Sequence, residues 1–586
     1  MSASLLGISG KILLLRRNIV KIIKPKPTYP DTLFGKLGKR SHRASFHSHR
    51  TLGIHHWDQV QTEFIFGKAA LSITASSHSQ QPVKSLQLIY SFDDWAARHE
   101  LEFEKAELTW DVLTWGWLQS WKVHLEAETG SVLRYFVRAT LPDGSSLYAD
   151  NQAASEKKAT QFARWLNPQN LAPAWSKNSR IYQIFVDRFN PGSDRNWLQT
   201  EDLLKPFGGT LRGVIEKLDH IHDLGFNTIW LTPIFSSPSH HGYDSSDYTQ
   251  IEPRFGTEAD LVELVDSAHQ KGLRVILDFV ANHCSNQHPA FRSALADQTI
   301  AQNGWFTWTK WPKRYLSYYN VPTMPEFDLR FGSPARAHLL EVAQKWLKLG
   351  VDGYRLDYAP GPGRNFWVDF QRACLQINPD CWTFGEVVAP AEEQVQFDRS
   401  MHGTLDFLTC QALRETFATG NWDAARLAGY LQVYQNAFPP TFSRPAFIDN
   451  HDMNRFVFTA EGNLSAVHAA LKLLYLLPQP PIIYYGTEFD LSQHCSIHDR
   501  GASGFDEARL AIPWNRQPLP ETARLLRKLA DFREANPWLS EATWQVISVS
   551  ADGQQTQLKI TFNSDQLEVS IDTSSEMSVD YWHHYQ

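Results

Sequence analysis

The sequence predicts an α/β fold, a parallel β/α barrel set between two antiparallel β units. Short apolar runs alternate with helical patterns from about residue 180 to 535, the arrangement of β-strands joined by crossover helices. Several of those runs end in carboxylates, histidine or glycine, as at Asp278 to His283, Asp357, Gly385-Glu386 and Asp449-Asn450-His451-Asp452. In a β/α barrel the carboxyl ends of the strands converge on one site. On either side of this region the pattern changes to the two-residue alternation of half-buried antiparallel strands.

With 586 residues the chain is too long for one domain and predicts three or four. A hydrophobic fraction of 42% supplies large cores, and 21 tryptophans offer flat faces of the kind sugar clefts use, although most tryptophans are core residues in any fold. The formal net charge of −7 implies no nucleic-acid partner. Five cysteines, Cys284, Cys374, Cys381, Cys410 and Cys495, are odd in number and form no C-x-x-C pair. That pattern fits free thiols in a reducing compartment and predicts a cytoplasmic protein.

Residues 1–50 stand apart, with eleven Lys or Arg against the single acid Asp31. Their apolar pieces are too short to span a bilayer, so no membrane association is expected. A disordered basic arm is the preferred reading over a targeting peptide or upstream residues outside the working protein. From 51 to 165 short alternating segments at 85–90, 116–126 and 133–140, with the turn signal Pro142-Asp143-Gly144, predict a β-sandwich. The barrel, over 175–540, opens with a strand predicted at 180–189. Helical periodicity follows at 211–224, and a buried strand at 225–233. The polar and aromatic loop His240-His241-Gly242-Tyr243-Asp244 comes next, then a helix at 258–271 and a strand ending at Asp278.

Residues 284–330 are an insertion dense in aromatics, from Trp305 to Tyr319. Such a lid either stacks substrate or packs its own small core, and the sequence leaves both open. A helix at 335–349 delivers the chain to Gly353-Tyr354-Arg355-Leu356-Asp357-Tyr358, a strand stopped by Pro360-Gly361-Pro362-Gly363. Alternation puts Arg355 and Asp357 on one face and Tyr354, Leu356 and Tyr358 on the other. An arginine so close favours the ionised acid and lowers its pKa, which suits a nucleophilic carboxylate. From spacing alone, a structural ion pair explains the motif more simply. Glu386 follows an apolar run, where burial raises a carboxyl pKa and suits a proton donor. A further strand at 481–488, a closing helix at 521–535 and three alternating segments between 543 and 571 complete the chain, with a C-terminal β unit at 541–586.

Taken in order, Asp278-x-x-x-Asn282-His283, Gly353-x-Arg355-x-Asp357, Gly385-Glu386 and Asn450-His451-Asp452 resemble the α-amylase family of retaining glycoside hydrolases, and in detail its neopullulanase, cyclomaltodextrinase and maltogenic amylase branch. The resemblance covers about residues 80–540. It implies a (β/α)8 TIM barrel with a lid after strand 3, a sugar-binding-like N-terminal β-sandwich that often helps dimerise the enzyme, and a small C-terminal β-sandwich. It implies Asp357 as nucleophile, Glu386 as acid/base and Asp452 as the group stabilising a distorted sugar. Tyr243 would stack on the sugar, His283 and His451 would donate hydrogen bonds to it, and Arg355 would hold Asp357 ionised.

The implied substrates are α-glucans and malto-oligosaccharides: maltodextrins, starch, cyclodextrins or pullulan, with some transfer to sugar acceptors. No cofactor is required and no metal ligand is assigned. Calcium stays open at the 190–197 loop, where Asp194 and Asn196 are equally turn formers, and Asn282 is read as structural. The sequence departs from the branch at Met324-Pro325-Glu326-Phe327-Asp328, at Pro360-Gly361-Pro362 and at Val387-Val388, which leaves linkage preference open. A glucanotransferase or trehalose-synthase-like enzyme of the same fold, and an inactive glucan-binding protein, are the competing readings.

Overall fold

The computed structural model describes residues 54–56, 60–111, 116–150, 153–574 and 577–583. The arm expected at 1–50 lies outside them. The centre of the molecule is a ring of eight parallel strands: β1 Ile181–Ile184, β2 Thr228–Leu231, β3 Arg274–Phe279, β4 Gly353–Leu356, β5 Trp382–Gly385, β6 Gly403–Thr404, β7 Ala446–Phe447 and β8 Pro481–Tyr484. Their hydrogen-bonded order is β6-β5-β4-β3-β2-β1-β8-β7, each strand beside its sequence neighbour. Single bridges, Gly403 to Ser443 and Asp406 to Ala446, close the ring between the two shortest strands. The predicted (β/α)8 barrel is present.

Strand alternation sorts the side chains. On β3, Ile276 joins the inner barrel core with Trp230, Trp382 and Phe384, while Val275 and Leu277 face the helices. Gly353 opens β4 because a Cβ there would lie 2.1 Å from the Trp382 carbonyl oxygen of β5. β1 is shorter than expected: Val186–Phe189 turns helical, and the Asp187 carboxylate accepts the Phe207 and Gly208 N–H groups.

The predicted helices form as Glu258–Gln270, started by a Thr257–Asp260 capping box, as Pro334–Lys348, capped by Ser333, and as Glu521–Ala535. The single helix expected at 211–224 breaks into Leu211–Ile215 and Leu218–Asp223 at Lys217, whose ammonium sits 4.3 Å from the Trp514 ring centre.

The N-terminal unit is two five-stranded antiparallel sheets with a shared core of Leu71, Ile73, Leu88, Trp121 and Val137. The expected strands form as Ser85–Ser91, Gly116–Glu128 and Val132–Thr140. Arg134 fastens this sandwich to the barrel. Its side chain is 1% exposed, with Nε 2.6 Å from Asp94 and Nη2 2.7 Å from Asp369. Nη1 donates to Asn365 Oδ1 at 2.8 Å, and both barrel partners lie on Arg364–Ile377, the helix after β4.

The C-terminal unit is one four-stranded antiparallel sheet, with Ser578–His583 as a fourth strand beyond the three expected. Its apolar face, with Leu558, Ile560, Val569 and Ile571, packs into the barrel's helical core, so helices supply the second layer. The lid is mostly its own core, as Phe291, Phe306, Trp308 and Tyr315 pack ring to ring. Tyr318 and Tyr319 are the exceptions and reach the barrel mouth beside Tyr358. Among the described residues no helix is long and apolar enough to cross a membrane.

Candidate active site

Arg355 points from β4 into the barrel and is fully buried. Its Nη1 lies 2.8 and 2.9 Å from the two oxygens of Asp278 and 2.8 Å from Asp357 Oδ1. Its Nη2 lies 2.8 Å from Glu386 Oε2. Carboxyl groups from the ends of β3, β4 and β5 therefore share one guanidinium. Glu386 Oε2 also accepts the Tyr358 N–H at 3.1 Å. The strand has ended by then: Tyr358 has φ 38° and turns its ring to Tyr318 and Tyr319, opposite to the outward direction expected from alternation.

Asp357 departs from the sequence expectation. Arg355 does favour its charged form, but burial outweighs that, and Glu386, Asp278 and Asp452 add like charge, so its pKa is raised. Burial first, then Asp452, raises Glu386, and burial pushes Asp278 up to about 6. The histidines bring no balancing charge: burial lowers His283 to about 4 and holds His451 well below its usual range. Four acids face two arginines, Arg355 and Arg509, so like charge adds to burial in raising Asp278, Asp357 and Glu386.

The β7 end supplies the opposite wall. The Gln183 amide lies 2.8 Å from His451 Nδ1, which leaves Nε2 facing Asp452 Oδ2 at 3.1 Å and the Tyr243 hydroxyl. Tyr243 donates to Asp278 Oδ2 at 3.0 Å, and its ring lies parallel to His451 with centroids 5.3 Å apart. His283 is committed to the frame: its Nε2 donates to the Tyr243 carbonyl at 3.0 Å, and Tyr318 stacks on it at 4.4 Å. Thus Tyr243, His283, Arg355, Asp357, Glu386, His451 and Asp452 form one connected network, in which His283 bonds the Tyr243 carbonyl rather than pointing a free N–H at the cavity. Asp244 braces its own loop through Ser237 and Ser239, and His241 Nδ1 accepts the Tyr243 N–H.

Sequence reasoning missed Arg509. Its Nη2 donates to Asp452 Oδ1 at 2.9 Å and its Nε to the His451 carbonyl at 2.8 Å. Nη1 lies 3.4 Å from Asp506, which pairs with His240 at 2.8 Å. The loops after β2, β7 and β8 are therefore tied through one side chain. No motif surrounds Arg509, so nothing in the sequence marked it. Arg509→Ala is expected to free the Asp452 carboxylate and lower any turnover at this site by about 100-fold, the scale of losing a charge-assisted hydrogen bond that positions a neighbouring group. Steady-state kinetics check this, and Arg509→Lys should restore part of the loss.

Among the described residues no group of three or more His, Cys, Asp or Glu is placed to hold a metal ion. Asn282 is engaged by protein: its backbone carbonyl accepts the Phe327 N–H at 3.0 Å, and its side chain packs against Gly361, where a Cβ would lie 2.1 Å from its Oδ1.

A family model described as "Alpha amylase, catalytic domain" matches residues 183–563. The chain belongs to the α-amylase family. Its membership makes it a glycoside hydrolase by class, and relatives fall in the branch expected from the motifs. "Alpha-amylase 2" from Dictyoglomus thermophilum is 33% identical over 410 residues, covering 69% of this chain and 72% of that protein. "Neopullulanase 2" from Thermoactinomyces vulgaris is 32% identical over 394 residues, covering 63% and 66%. Among solved structures, the cyclic α-maltosyl-(1→6)-maltose hydrolase of Arthrobacter globiformis, in complex with that sugar, superposes with a TM-score of 0.63 at 26% identity, covering 70% of this chain and 98% of that one.

Proposed function

We propose that the protein hydrolyses α-glucosidic bonds in malto-oligosaccharides and related α-glucans with retention of anomeric configuration. The observation that carries this reading is the shared guanidinium: Arg355 holds Asp357 and Glu386 at 2.8 Å each, at the mouth of the barrel. Two carboxyls held by neighbouring nitrogens of one guanidinium support double displacement, in which the pair stands about 5 to 5.5 Å apart.

In the proposed reaction Glu386, its pKa raised by burial, protonates the glycosidic oxygen. Asp357 attacks the anomeric carbon as the carboxylate, the form that Arg355 favours. Water then releases the glycosyl group, with Glu386 taking the proton back. Asp452, fixed by Arg509, holds sugar hydroxyls, and Tyr243 presents its ring face beside His451. No redox or phosphate cofactor enters this scheme. Cyclic substrates belong to the proposal because the Arthrobacter neighbour acts on a cyclic maltosyl sugar. The five free cysteines, four of them buried, support a reducing, cytoplasmic setting.

Proton NMR of the first product decides the stereochemistry: the α-anomer is expected, and a β-anomer sinks the reading. Activity should fall as pH rises through the Glu386 pKa, at a pH above the ordinary carboxyl range, because the acid is needed protonated. A product profile dominated by transfer with little reducing sugar would assign the protein to the glucanotransferases.

A further inference from the structure

The two carboxyl oxygens of Glu386 are not equivalent. Oε2 accepts the Tyr358 N–H at 3.1 Å. Arg355 Nη2 lies 2.8 Å from the same oxygen but outside hydrogen-bond alignment, so the directed donor is a backbone group of the turn after β4. A protonated carboxyl keeps its hydrogen on the oxygen that is not already accepting one, which places the proton of Glu386 on Oε1. The Tyr358 peptide thereby sets the direction in which the acid presents its proton.

That peptide is held in a conformation its own residue resists. Tyr358 has φ 38°, a left-handed backbone that a bulky side chain keeps only where several contacts fix it. The Gly361 N–H donates to the Tyr358 carbonyl at 3.0 Å, and a Cβ on Gly361 would lie 2.8 Å from Tyr358 Cδ1, so the glycine lets the turn close on the ring. From the other side the lid grips the same ring: Tyr318 meets it edge to face with centroids 5.0 Å apart, and Tyr319 lies at 5.7 Å. Tyr318 is itself anchored by its stack on His283, 4.4 Å away. Two rings and one peptide therefore connect the lid to the acid.

Resting on the assignment of Glu386 as acid/base in the reading above, we propose that Tyr318 is a positioning residue for Glu386: its ring locks Tyr358 in the left-handed turn whose N–H holds Glu386 Oε2. Tyr318 acts through a neighbour's backbone and not as a sugar contact.

The charged and titratable groups facing Glu386 are Arg355 and Asp357 from β4 and its end, Asp278 from β3, Asp452 from the loop after β7 and Tyr318 from the lid. Tyr318→Ala leaves the four ions in place. Loss of the N–H bond removes a stabiliser of the ionised carboxylate and raises the Glu386 pKa, whereas water entering the space left by the ring would favour the ionised form and lower it. The direction of the shift separates positioning from simple burial.

The test is the pH profile of kcat/KM for maltotriose in the full-length protein, whose basic limb reports the acid of the free enzyme. Tyr318→Ala should move that limb up by about half to one pH unit, the share of one backbone N–H bonded to a carboxylate. It should also lower kcat about tenfold with KM changed less than about twofold, since the acid is misaimed while the sugar still binds. Tyr318→Phe, which keeps the ring, should restore the wild-type limb. Replacing Tyr358 by its α-hydroxy acid deletes the N–H alone; it should give the same upward shift, and it serves if Tyr318→Ala does not fold. A limb that stays or moves down in these variants, or a raised KM with limb and kcat unchanged, overturns the proposal and leaves the hydrolase reading intact. Wild-type protein that turns over no α-glucan at all removes both readings together.

Discussion

Asp357→Asn is expected to lower kcat on malto-oligosaccharides by at least about 10,000-fold, the scale seen when a group forming a covalent intermediate is removed. The variant cannot form the glycosyl intermediate, because a neutral carboxamide does not replace the attacking carboxylate. Substrate binding should survive. Asparagine keeps the shape, and deleting one negative charge from a cluster in which Asp278, Glu386 and Asp452 all oppose Asp357's ionisation relieves repulsion rather than adding it. Calorimetric titration with maltoheptaose should therefore give affinity within a fewfold of wild type while turnover vanishes. Residual activity above one part in a hundred would mean that another group attacks.

Arg355→Leu is expected to damage the fold as well as the chemistry. The guanidinium is wholly buried and is the cation shared by three buried carboxyls. Removing it leaves those acids without their counter-charge, a loss of about 3–5 kcal/mol for a broken buried pair. The sign of the pH dependence follows. Without the arginine the folded-state pKa values of Asp278, Asp357 and Glu386 rise further above their unfolded values, so the native state binds more protons than the unfolded chain. Stability then falls as pH rises, and the variant should recover part of its deficit near pH 5 relative to pH 8. Thermal unfolding at the two pH values measures this; a deficit that grew on acidification would contradict the account.

The ends of β3, β4 and β5 were legible in the sequence because each follows an apolar run and carries an acid on the inward parity of Ile276, Arg355 or Phe384: Asp278, Asp357 and Glu386. Asp452 lies in a turn beyond Phe447, the end of β7, and does not follow from alternation. Arg509 and Gln183 were not legible, since each acts through a contact made by one side chain from a distant loop or strand, and a single residue has no period to betray it. The net pKa shift of Asp357 was misjudged for the same reason: the sequence shows the arginine two residues away but not the three acids that folding brings round it. Tyr358 was assigned to the wrong face because the strand stops at Leu356, before the proline-glycine run. The C-terminal strand Ser578–His583 alternates only briefly and was passed over.

Arg134 has a consequence for how this chain exchanges parts with its kin. A recombinant joined anywhere between residues 150 and 175 pairs one parent's sandwich with another's barrel, and the guanidinium then needs Asn365 and Asp369, or their equivalents, waiting on the far side of the joint. Hybrids that carry the arginine without those acceptors leave its buried charge to the sandwich's own Asp94 alone, so the two units are inherited as a matched set.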